Sequence, residues 1–156
     1  MCSSDLMDLK NNVALVTGGA SGLGRGTVEY LVSKGAKVAI LDINDDKAKE
    51  VVDLLGSENV SYFNTNVMEE ESVQNAINGI KETFGKLNFV INCAGTGYGA
   101  RILGRKGPHP LDIFKFIIDL NLVGNFNRNV MVIHLGDFSQ HPAIGHNLVT
   151  FVQAGH

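Results

Sequence analysis

The sequence predicts an α/β domain built on a doubly wound parallel sheet, and three observations predict it. Between Val13 and Asn92, short apolar runs alternate with stretches of helical period, the pattern of strands joined by crossover helices. The strands read as continuous apolar runs, so both faces of the sheet are covered. Glycine is enriched, 18 of 156 residues against a usual ~7%, and the glycines stand at element ends and in one dense cluster.

Each element follows in order. Val13–Thr17 is a short buried strand. Gly22–Ser33 is a helix with Val28, Leu31 and Val32 on one face, stopped by Gly35. Lys37–Asp42 is the second strand. Asp45–Leu55 is the second helix, opened by Asp45 and Asp46 and closed by Gly56. Val60–Asn64 is the third strand, Glu69–Phe84 a third helix with acids in its first turn, and Asn88–Asn92 the fourth strand. A loop rich in glycine and proline leads to an apolar helix from about Leu111, carrying Phe114, Ile117, Ile118 and Leu122. Val130–Leu135 can continue that helix. A sheet ending at the fourth strand would leave an apolar edge unpaired. Leu148–Val152 is therefore expected to pair beside Asn88–Asn92 through a right-handed crossover.

Composition bounds the function. The length suits one domain, 1–156, with no internal repeat or linker. A net charge of −3 argues against non-specific nucleic-acid binding, which needs a basic face. No uninterrupted apolar run exceeds four residues, so no membrane span is expected. The opening MCSSDLMDLKNN has neither a hydrophobic core nor an arginine, so no targeting segment is evident, and Met7 is an alternative start. Cys2 and Cys93 form no CxxC pair, which points to a reduced, intracellular compartment, cytoplasmic or mitochondrial.

The glycine cluster carries the chemistry. Gly18-x-x-x-Gly22-x-Gly24 lies where an apolar strand turns into a helix. Such a turn leaves backbone N–H groups unpaired at the positive end of the helix dipole, a site for phosphate. Glycines are needed where a Cβ would block the turn or the pyrophosphate. Asp42 ends the second strand 18 residues after Gly24, and a carboxylate there can accept both hydroxyls of an adenosine ribose. It repels a 2′-phosphate, so the site is expected to prefer NAD over NADP. A ligand-free tight turn, with Asp42 a solvated strand-end acid, is the bland alternative.

TGGASGLG, the LD that ends the second strand, and NCAG after the fourth together resemble the short-chain dehydrogenase/reductase family. The stretch GRKGPHPLDIFKFIIDLNLVGNFN looks like its type-2 3-hydroxyacyl-CoA dehydrogenase branch, which also includes hydroxysteroid-oxidising enzymes. The resemblance covers about Leu9 to Asn127, leaving a divergent tail, 128–156. It implies a Rossmann sheet, incomplete at its C-terminal side. It places Ser21 and Leu23 around the pyrophosphate, Asp42 on the adenosine ribose, and Asn66 and Val67 beside the adenine, where the family usually has Asp-Val. It places Cys93, Ala94 and Gly95 near the nicotinamide ribose, with Asn92 bracing the strand end. Asn121 falls where the family keeps an asparagine that holds a water in its proton relay. Read alone, an asparagine on an apolar helix is a polar core residue bonded to a helix carbonyl.

The activity so implied is NAD-dependent oxidation of a secondary alcohol, such as a 3-hydroxyacyl-CoA or a steroid alcohol; a homo-oligomer is compatible with the family, and the sequence leaves the oligomeric state open. The base of that chemistry is a tyrosine in a Tyr-x-x-x-Lys pair that follows the asparagine, helped by a serine. After Asn121 this sequence has no tyrosine and no lysine, and its single serine, Ser139, lies in the loop-like GDFSQHP. The chain is thus expected to lack that half and to be inactive alone. A non-catalytic NAD-binding or interaction fragment, and the product of an aberrant gene model, stay open. Four of the five histidines, His134, His141, His146 and His156, lie in the tail at spacings that do not match a helical zinc pair, so no metal site is expected.

Overall fold

The computed structural model describes residues 9–105 and 107–127, and the backbone of 149–152. The elements run β1 (Val13–Thr17), α1 (Gly22–Ser33), β2 (Lys37–Asp42), α2 (Asp45–Leu55), β3 (Val60–Asn64), α3 (Glu70–Phe84) and β4 (Phe89–Asn92). A two-stranded hairpin of β5 (Leu103–Gly104) and β6 (Gly107–Pro108) follows. Then come α4 (Leu111–Ile118), a π turn over Asp119–Val123, and β7 (Val149–Val152). The main sheet has the order β3-β2-β1-β4-β7, and all its pairs are parallel.

The continuous apolar strands do cover two faces. Val13 and Leu15 of β1 pack with Ala39, Leu41 and Val90 against Val73, Ala76, Ile77 and Ile80 of α3. Their neighbours Ala14 and Val16 point the other way, with Val38, Ile40 and Val60, onto Val28 and Leu31 of α1 and Val51 of α2. The period-2 alternation of a strand thus feeds two cores from one run. Each fully buried leucine or isoleucine in them contributes roughly 1.5–3 kcal/mol.

The helix ends follow local chemistry. The α2 helix is capped by Asn44, whose side chain accepts from the Lys47 N–H at 3.0 Å. In α3 Glu69 is the capping residue, one position before the first helical turn. Gly35 and Gly85 sit at φ of 84° and 69° just past their helices, where a Cβ would be strained. Asn88 lies outside β4, and its side-chain oxygen accepts from the Val13 N–H at 2.9 Å.

β7 pairs with β4 in parallel, Phe89 opposite Val149 and Asn92 opposite Val152, so the edge expected to be paired is paired. The hairpin and the π turn have no counterpart in the sequence reading. The expected continuation at Val130–Leu135, Ser139 and the four tail histidines lie outside the described residues. Among the described residues no helix is long and apolar enough to cross a membrane.

Register brings the functional ends together. Thr17 lies opposite Leu41 on one side and Asn92 on the other, while Asp42 lies opposite Asn64. From β1 the chain order runs outward through β2 and β3, with β4 on β1's other flank. The carboxyl ends of β1 and β4 therefore form the switch point where a doubly wound sheet opens a crevice.

Candidate functional site

A cleft of ≈ 530 Å³ occupies that crevice. Gly18, Ser21, Gly22, Leu23 and Gly24 form one wall; Asp42, Asn66 and Val67 stand at one end, and Cys93, Ala94 and Gly95 at the other. Every cofactor-side residue singled out from the sequence thus lines a single cleft.

The three glycines of the Gly18-x-x-x-Gly22-x-Gly24 motif have three different reasons. Gly18 holds φ of 66°, and a Cβ on it would stand 2.9 Å from the backbone of Ala94, so the β1 and β4 ends can meet only over a glycine. Gly22 holds φ of 54°, and a Cβ there would meet no atom within 4 Å. It would project into open space at the cleft wall, where a ligand backbone can approach. A Cβ on Gly24 would overlap the carbonyl of Gly18, so this glycine lets α1 press against the turn.

The start of α1 is chemically bare. Ser21 is its N-cap residue, but its side chain makes no capping bond, and no acid occupies the first turn. By contrast α2 carries Asp45 and Asp46 there, and α3 carries Glu70 and Glu71. The positive end of the α1 dipole, which lines the cleft, is the one left without an internal anion. The nearest base, Arg25, is turned along the helix, its Nε 2.8 Å from Glu29 Oε1 and its guanidinium 4.0 Å from Glu50.

Asp42 is fixed by two main-chain donors. Oδ2 accepts from the Ala20 N–H and Oδ1 from the Asn44 N–H, each at 3.0 Å. One bond ties the carboxylate to the glycine turn, the other to the α2 cap. Each carboxylate oxygen retains a free lone pair for an outside hydroxyl. Next to it, Asp45 accepts from Tyr62 Oη at 2.7 Å and from Asn64 Nδ2 at 2.8 Å. These two bonds, Tyr62's first, hold the Asp45 carboxyl below the usual carboxylate range. Burial, then the bond to Asp45, pushes the Tyr62 phenol up.

Asn66 is held from both sides. Its Oδ1 accepts from the Met68 N–H at 3.1 Å, and its Nδ2 donates to Glu69 Oε1 at 2.7 Å. Because an N–H only donates and a carboxylate only accepts, the chemistry of the partners sets the orientation of the amide.

The β4 end is stitched from two directions. Fully buried Thr17 accepts on Oγ1 from the N–H groups of Cys93 and Ala94, at 3.2 and 3.1 Å. Asn121 does not line the cleft. Its Oδ1 accepts from the Thr96 N–H at 3.2 Å, and its Nδ2 donates to the Thr96 carbonyl at 2.7 Å and the Ile117 carbonyl at 3.0 Å. It therefore bonds a helix carbonyl and also clamps the loop directly after Gly95. Asn92 is a buried polar residue at the strand end.

Sequence reasoning missed several lining residues, among them Ile43, Thr65 and Met68 near Asp42, Phe116 from α4 and Leu120 from the π turn. Apolar helix positions carry no mark that separates a cleft wall from a core. It also passed over YLVSK, Tyr30 to Lys34, which has the Tyr-x-x-x-Lys spacing. In the structure this pair lies at the far end of α1 from the glycine turn, with Tyr30 58% exposed and Lys34 Nζ 5.4 Å from its ring centroid. It has the spacing but lies far from the cleft.

Known proteins carry the same architecture. The short chain dehydrogenase family model matches residues 12–140. The 3-hydroxyacyl-CoA dehydrogenase type-2 of Drosophila melanogaster is 40% identical over 121 residues, 76% of this chain and 47% of that protein. The protein of the same name from Homo sapiens is 37% identical over 76% of this chain and 46% of its own length. The solved structure of a chain assigned to the short-chain dehydrogenases, from Novosphingobium aromaticivorans, superposes with a TM-score of 0.74 at 29% identity. It covers 82% of this chain and 46% of that one. The chain thus spans about half the length of the relatives it matches. Dehydrogenases of this family typically use a nicotinamide cofactor and act on small-molecule substrates. With a Rossmann-like sheet, a glycine turn at its switch point and a family match over most of its length, the chain belongs to the short-chain dehydrogenase family of oxidoreductases.

Proposed function

We propose that the chain is a single NAD-binding domain, the cofactor half of a dehydrogenase that oxidises a secondary alcohol such as a 3-hydroxyacyl-CoA. The observation that carries this reading is the join between the bare start of α1 and Asp42 through the Ala20 N–H. A pyrophosphate at the helix start places the adenosine ribose over Asp42 and its base toward Asn66 and Val67. The other half of the dinucleotide then runs past Cys93, Ala94 and Gly95. Gly22 fits this group, because the space a Cβ would take is open. When bound, NAD supplies the hydride acceptor. The residues of this chain bind it, orient it and hold the β4 loop against it.

Asp42 favours NAD over NADP by like-charge repulsion of a 2′-phosphate, and Arg25 does not offset this while paired with Glu29. Calorimetric titration with NADH and NADPH tests the reading. NADH is expected to bind at least about tenfold more tightly, a difference of ~1.4 kcal/mol, and Asp42→Ala to narrow the gap. Equal affinities, or no binding of either, would overturn it.

Proton removal from the alcohol is assigned to no residue of these 156, since neither tyrosine nor lysine follows Asn121 and the pair in α1 lies away from the cleft. We therefore propose that the chain by itself binds NAD without turning over substrate. Steady production of NADH from NAD and a 3-hydroxyacyl-CoA would contradict this.

A further inference from the structure

A second asparagine stands behind the first. Asn125, one helical turn beyond Asn121, donates from Nδ2 to the Asn121 carbonyl at 2.5 Å. Asn121 lies within the π turn, which is closed by the Gly124 N–H on the Asp119 carbonyl, five residues back. A π turn displaces the ordinary i−4 pairing of the carbonyls around it. A side-chain amide is thus a donor to the Asn121 carbonyl where the helix ladder is irregular.

The bond matters because of what Asn121 holds. Its amide engages both polar groups of the Thr96 peptide unit's residue, the N–H and the carbonyl. Its Oδ1 also stands where a Cβ on Gly95 would go, and Gly95 lines the cleft at the end away from Asp42. We infer that Asn125 is a positioning residue for the dinucleotide. By fixing the Asn121 backbone, it sets the Gly95–Thr96 loop against the half of the ligand that runs past β4. This rests on the dinucleotide reading above and adds to it a residue that does not touch the cleft.

The test separates the two ends of the site. ADP-ribose reaches the glycine turn and Asp42 but lacks the nicotinamide, whereas NADH reaches Gly95 as well. Valine and threonine have nearly the same shape, but only threonine can donate to a carbonyl four residues back, as Thr27 Oγ1 does to Leu23 at 2.9 Å in α1. Asn125→Val is expected to weaken NADH about three- to tenfold, the scale of one hydrogen bond, and to leave ADP-ribose unchanged. Asn125→Thr is expected to retain wild-type affinity for both. If Asn125→Val loses neither ligand or both equally, or if Asn125→Thr falls as far as Asn125→Val, the inference about Asn125 is overturned alone. If the wild-type chain binds neither NADH nor ADP-ribose, the dinucleotide reading fails and this inference fails with it.

Discussion

Three times in this sheet a parallel strand turns into a helix at the same edge, and the turns are not chemically alike. The β2-to-α2 turn fills its helix start with its own groups: Asn44 caps it, and Asp45 and Asp46 answer its dipole. The β3-to-α3 turn uses Glu70 and Glu71 in the same way. The β1-to-α1 turn has glycines and an uncapped serine instead. An unpaired helix start costs stability, and a fold that can supply acids twice has no need to omit them once. Residues of all three turns line the cleft, but only α1 brings its first helical turn, Gly22 to Gly24, into the lining. It is this acid-free start that the proposal reserves for an outside anion.

The most disruptive way to break the comparison is Gly24→Ala. The added methyl meets the Gly18 carbonyl carbon at 2.7 Å and the Gly19 Cα at 3.1 Å, and backbone atoms of a tight turn cannot swing aside. A loss of roughly 3 kcal/mol in denaturant unfolding is expected, with NADH binding abolished. Alanine at Gly26, where a Cβ meets nothing within 4 Å, should be tolerated and serves as the reference.

Leu23→Glu makes α1 resemble its neighbours. Leu23 is 61% exposed, in the first turn, and lines the cleft. A carboxylate there should stabilise the fold by ~0.3–1 kcal/mol while lowering NADH affinity at least about tenfold. Opposite signs in the melting curve and the titration are the signature. If both fell together, the start of α1 would be a structural element and not an anion site.

The smallest effect lies at α2. Tyr62→Phe removes the leading bond that keeps Asp45 ionised, so the Asp45 midpoint in a carboxyl NMR titration should rise toward the ordinary carboxylate range. Folding lowers that pKa, so the stability it contributes is complete above the ordinary range. It is lost as pH falls through the lowered value, and the variant should lose it at higher pH than the wild type. NADH affinity at neutral pH should not change. An unmoved Asp45 titration would show that the α2 start is not filled in the way described.

Much of this was legible in the sequence because period and punctuation agree. Val13–Thr17, Lys37–Asp42 and Val60–Asn64 are strands at the expected bounds, and the helices that follow them end at Gly35, Gly56 and Gly85. The glycine spacing and Asp42 located the cleft because a phosphate at a helix start demands those residue types. Other parts were hidden for physical reasons. Thr17 completes the apolar run VALVT and reads as an ordinary strand threonine; only the approach of β4, 76 residues on, makes its hydroxyl a double acceptor. Phe116 and Leu120 are apolar helix positions, and whether such a face meets core, cleft or solvent depends on packing. The exposed Leu111, Phe114 and Leu122 of the same helix make the point. The π turn has no local signal, because its Asn121 is tied to Asn125 and to a loop 25 residues upstream.

An amide NMR titration with NADH tests most directly whether the start of α1 holds the pyrophosphate. The largest shifts are expected at the N–H signals of Ser21 through Arg25 and at Ala20, whose N–H bonds Asp42, with the starts of α2 and α3 little changed. Shifts centred on Asp46–Lys47 or Glu70–Glu71, or none at the glycine turn, would contradict the account.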